Sequence, residues 1–70
     1  MRSQMIEERM LKWFDYKHLP PILQETSMMF ANVAYEIVRT IEAGPERTVA
    51  LRKLLESKDA AVRARLHPHG

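Results

Sequence analysis

No cysteine occurs in the sequence. That removes disulfides, thiol catalysis and cysteine-based zinc sites, and it fits a reducing compartment. No apolar run approaches the roughly 18 uncharged residues that a membrane span requires. There is no glycine-rich phosphate loop, no run of strand period and no internal repeat. Acids at Glu7 and Glu8 interrupt the first residues where a secretory leader needs a continuous apolar stretch, so the expected location is cytoplasmic. Acids and bases are interspersed, and the net charge is only +2, so no basic block announces a polyanion groove.

What the chain does have is apolar residues: 46% of its 70 residues, too many for a disordered tail. A chain this short makes one domain with a marginal core, and without staples its stability must come from packing. Residues 1–13 read as a short amphipathic helix, with Ile6, Met10, Leu11, Trp13 and Phe14 on its apolar side and a favourable Glu8 to Lys12 spacing. The periodicity lapses from Asp15 to Pro20, and the paired prolines make this segment an extended loop. From Pro21, apolar residues Ile22, Leu23, Phe30, Val33, Ala34, Ile37, Val38 and Ile41 recur at steps of three and four, predicting a long helix over residues 21–43.

At Gly44-Pro45 the pattern stops and restarts. The glycine is expected to take the left-handed backbone that closes the long helix, and the proline to open the next over residues 45–66. Val49, Leu51, Leu54, Leu55, Ala61 and Val62 give that helix its apolar face, with Arg52–Glu56 and Asp59–Arg63 expected as outer pairs at i, i+4. The fold class is therefore all-α: residues 1–70 form a single domain, an antiparallel helical hairpin with a short additional N-terminal helix. Met28, Met29, Phe30 and Trp13 leave more apolar flank than a hairpin can cover, which predicts assembly as a compact homo-oligomer.

Catalysis finds no support in the spacing. His18, His67 and His69 lack acidic partners, no third donor accompanies the two terminal histidines, and Thr26, Ser27 and Thr48 have no nucleophile elbow around them. The reading is a non-enzyme with no metal and no cofactor. A helix-turn-helix would need short helices and a polar reading helix, so duplex nucleic acid is not the expected partner. The corner suits a small anion instead, because the N–H groups of a helix start lie beside Arg47 and Thr48. Tyr16 in the loop either covers the core edge or stacks on a ligand, and the basic excess from Arg47 to Arg65 is either a positive strip or a solvated face.

The stretch Gly44-Pro45-Glu46-Arg47-Thr48-Val49-Ala50-Leu51-Arg52-Lys53-Leu54 resembles the run after the helical corner in the phage anti-CBASS sponges, whose hairpin domain is shared with anti-Thoeris sponges. Upstream, Tyr16-Lys17-His18-Leu19-Pro20-Pro21 and the Phe30, Val33, Ala34, Ile37 pattern lie at similar distances before the corner, so the resemblance covers roughly residues 14–65. It implies a helical homohexamer in the host cytoplasm. Such an assembly binds cyclic di- or trinucleotides, or cyclic ADP-ribose-type signals, without cleaving them, and so blocks CBASS or Thoeris signalling. By position it implies Tyr16 as the stacking aromatic, Lys17 or His18 near phosphate, Arg47 and Thr48 as the basic and hydroxyl contacts, and Arg52 as an additional contact one turn on. The alternative is a small helical protein-interaction module that uses the same apolar flank.

Overall fold

The computed structural model describes residues 10–69. Most of the expected N-terminal helix thus lies outside the described residues. Within them Met10 and Leu11 are helical, and Lys12–Phe14 form a 3-10 turn. Helix α1 spans Pro21–Thr40 and helix α2 spans Pro45–Leu66. Among the described residues there is no strand, and no helix is long and apolar enough to cross a membrane.

Each helix begins on a proline, whose missing N–H costs nothing in a first turn. Before α1, Pro20 is extended, with φ −57° and ψ 151°, and its carbonyl accepts the N–H groups of Leu23 and Gln24. The loop preceding it is tightly organised. The Asp15 carboxylate accepts the Lys17 N–H at 3.2 Å, and the Leu19 N–H closes a turn on the Tyr16 carbonyl. Gln24 then reaches back from α1, its side-chain amide donating to the carbonyls of Leu19 at 2.7 Å and Lys17 at 3.3 Å.

The end of α1 departs from expectation. The helix stops at Thr40, not near residue 43, and Gly44 is not a left-handed cap. Its φ of 174° and ψ of 173° are extended, and no described residue adopts the left-handed backbone. The helix ends because Ile41 turns extended, with φ −118° and ψ 128°, while the last-turn carbonyls find other donors. Thr40 Oγ1 donates to the Glu36 carbonyl at 2.7 Å, and the Ile41 N–H donates to Ile37. Arg47 Nη1, from the first turn of α2, donates to the carbonyls of Val38 at 3.2 Å and Ile41 at 2.5 Å.

These contacts, with a 3.9 Å approach of Arg65 to Glu25 at the other end, make the two helices an antiparallel hairpin. Small residues on α1 bring its partners close: Ser27, Ala31 and Ala34 are all buried at helical spacing. Leu51 of α2 and Phe14 of the 3-10 turn are among the largest fully buried side chains, and with Leu11, Ala31 and Ala34 they form the core cluster. Phe30, Ile37, Val38, Leu54 and Leu55 pack around it. The outer ion pairs differ from those expected. Glu56 meets Lys53 at 3.9 Å instead of Arg52, and Asp59 meets Lys58 at 3.5 Å instead of Arg63, because flexible side chains choose among several neighbours of similar energy.

Two predictions follow from the corner. Arg47 is 4% exposed and donates to the part-buried carbonyls of Val38 and Ile41, so Arg47→Ala is expected to destabilise the hairpin by about 1–3 kcal/mol. Arg47→Lys should recover little of that, because an ammonium lacks the guanidinium fork; urea unfolding followed by circular dichroism measures both. At Gly44 an added Cβ would meet nothing within 4 Å and the backbone suits any residue. Gly44→Ala should therefore leave the unfolding free energy unchanged or raise it by up to about 1 kcal/mol through the unfolded chain. A clear loss would restore the cap reading.

Candidate functional site

Phe14 shares the buried cluster with Ala31, a position of α1 small enough to leave room for a ring, and the chain then continues through the extended Asp15. A cleft of about 760 Å³ opens beside this contact. One wall is Leu11, Lys12, Phe14, Asp15, Tyr16 and Lys17; the other is Ala31, Tyr35, Val38 and Arg39 of α1. Ala31, Tyr35 and Arg39 follow at steps of four, which stacks them along one face of the helix.

Two phenol rings thus line a space that also receives three cationic side chains and one carboxylate. Each cation is held differently. Lys12 Nζ lies 5.3 Å from the Trp13 ring centroid, a cation–π contact that biases where the ammonium rests. Lys17 is exposed on the organised turn after Asp15. Arg39 is gripped by Glu36: Nε lies 3.2 Å from both carboxylate oxygens and Nη2 lies 2.6 Å from Oε1. Hydrogen bonding from Arg39, and then its charge, holds the Glu36 carboxyl below its usual value, and the same two causes raise Arg39. At neutral pH this pair is therefore fully ionised, and only a competing ion or a different side-chain rotamer parts it.

The six residues expected from the sequence do not gather in one place on this chain. Tyr16 and Lys17 line the cleft; Tyr16 is half-buried and also packs on the core, as the reading that it covers the core edge expects. His18 is exposed on the same turn but outside the cleft lining, as is Arg52 on α2. Arg47 is buried in the hairpin and reaches the cleft only through Val38, whose carbonyl it holds. Thr48 Oγ1 donates to the Gly44 carbonyl at 3.2 Å, within its own first turn. The guanidinium expected at a surface anion site at the corner is thus turned inward, toward the end of α1.

No family model matches the chain, and no curated protein or solved structure is significantly similar to it. The site must therefore be judged by its own chemistry. Among the described residues no group of three or more histidine, aspartate or glutamate side chains is placed to hold a metal ion.

Tyr35, Arg39 and Lys12 are the residues that sequence reasoning missed. The available signal was the shared phase of Ala31, Tyr35 and Arg39: a small residue flanked by an aromatic and a cation on one helical face.

The cleft's two aromatic types should separate in stability measurements. Phe14 is 1% exposed, so Phe14→Ala is expected to cost about 3–5 kcal/mol and to remove the cleft floor. Tyr35 is 58% exposed, and Tyr35→Ala should stay within about 0.5 kcal/mol of the parent in the same urea titration.

Proposed function

We propose that this protein is a phage anti-defence sponge: it binds a cyclic nucleotide immune signal in the cleft between the 3-10 segment and α1, and withholds it without cleaving it. The signal belongs to the cyclic di- or trinucleotides or the cyclic ADP-ribose-type molecules, and its removal starves the CBASS or Thoeris effector of the infected cell. One observation carries the reading: a space of about 760 Å³, within the usual range for small-ligand sites, in which two tyrosine rings meet Lys12, Lys17 and Arg39. Aromatic faces accept bases and cations accept phosphodiesters, the combination that holds nucleotides without reading them as a duplex.

Retention without hydrolysis fits the same lining. It includes no histidine, serine or threonine among the described residues, and its carboxylate, Asp15, already accepts the Lys17 N–H. In this reading Tyr16 and Lys17 keep the roles that the resemblance gives them, and Tyr35 and Arg39 join them. Arg47 and Thr48 act from behind by fixing the end of α1. Homohexameric assembly is part of the proposal. Its support is the apolar surface left on α1, where Ile22 is 54%, Met29 58% and Val33 47% exposed.

Exposed apolar residues also favour the second reading, a helical protein-interaction module, and Trp13 of the 3-10 turn, 57% exposed and outside the core cluster, adds to them. Ligand binding separates the two. Cyclic di-, tri- and ADP-ribose-type nucleotides at tens of micromolar should raise the melting temperature as RT ln(1 + [L]/Kd), and mass spectrometry after denaturation should recover the nucleotide intact. Tyr35→Ala should weaken binding by about 1–3 kcal/mol, the worth of one base stacked on a ring, with little change in fold stability. A flat melting temperature across the panel would favour the interaction module, and a linearised product would refute sequestration.

A further inference from the structure

Arg39 is the one guanidinium among the described residues lining the cleft, and Glu36 occupies two of its donor nitrogens. Nε and Nη2 together form an edge that matches two oxygens of a carboxylate or of a phosphate equally well. An anion entering the cleft and the Glu36 carboxylate therefore want the same atoms. We propose that Glu36 is an internal competitor for the cleft's anion site: it fills the Nε–Nη2 edge of Arg39 in the empty protein and yields it to a ligand phosphate, so that Glu36 sets the affinity.

The inference rests on the cleft being a nucleotide site. Both side chains are well exposed, 68% for Arg39 and 62% for Glu36, so the displaced carboxylate returns to water and the exchange is small in energy. Glu36 lies one turn before Arg39 and outside the lining, so the exchange turns the Nε–Nη2 edge of Arg39 from Glu36 into the cleft while Glu36 itself takes up none of the ligand's space. Nothing in the exchange breaks a bond within the core.

Isothermal titration of the full chain with cyclic di-AMP and cyclic tri-AMP, using the parent and Glu36→Gln, tests it. Glutamine keeps the size and helix preference but no longer holds the guanidinium by charge, and an exposed pair of this kind predicts a Kd lower by about 2- to 5-fold. Two further variants isolate the cause. Glu56→Gln removes a carboxylate paired with Lys53 on α2 and should leave Kd unchanged. In an Arg39→Ala background, Glu36→Gln should lose its effect. Parent binding with no gain from Glu36→Gln, or an equal gain from Glu56→Gln, overturns the competitor while leaving the cleft reading standing. Binding by neither parent nor Glu36→Gln overturns both.

Discussion

The hairpin turns on a guanidinium placed where its own helix disfavours it. Arg47 lies in the first turn of α2, near the positive end of that helix's dipole, a position better suited to an acid. It is tolerable there because its side chain leaves α2 and enters the negative end of α1, where it donates to the Val38 and Ile41 carbonyls. The neighbouring Glu46 is the acid of the same first turn. One dipeptide thus serves two helix ends, Glu46 the start of α2 and Arg47 the finish of α1. A four-residue connection can hold the helices antiparallel because its charges are sorted this way.

The cleft depends on that arrangement. Val38 lines the cleft and binds Arg47 with its carbonyl, so the last turn of α1 is held at the position from which Arg39 reaches the opening. Farther down, Ala31 and Ala34 are small enough for Phe14 and Leu51 to join one cluster on α1. Had either alanine been large, the 3-10 segment would sit farther out and Tyr16 would lose its packing on the core. The floor is made of buried apolar contacts, and the charged groups stand at the rim, where α1 has room for long side chains.

Much of the fold was legible because helix starts carry strong local signals: both prolines, and the apolar phase after each, placed α2 at its observed bounds. The end of α1 was not, since the stop signal was assigned to glycine while the helix is ended by side chains from Thr40 and Arg47 that no local pattern announces. The burial of Arg47 did leave a trace. It falls four residues before Leu51 and seven before Leu54, on the inward face of α2, a phase at odds with a surface ligand contact. Tyr16 and Lys17, which line the cleft, drew notice through their loop. Tyr35 and Arg39 were passed over because polar-tipped residues beside an apolar stripe read as solvent-facing until the opposing segment is in place. The choice between Lys53 and Arg52 for Glu56 was beyond reach, being a matter of rotamers.

The remaining apolar surface bears on how the two proposed properties fit one molecule. At about 100° per residue, Val33 and Tyr35 point about 160° apart around α1, and Met29 and Ala31 are separated likewise. The stripe of Ile22, Met29 and Val33 therefore lies across the helix from the face that forms the cleft. Copies of this chain that joined through the stripe would leave every cleft open, whereas copies joined through Trp13 and Tyr35 would close it. An assembly joined through that stripe would keep the proposed anion cleft open, whereas Met28, 41% exposed and seven residues before Tyr35, lies on the cleft side of α1 and would not take part in it.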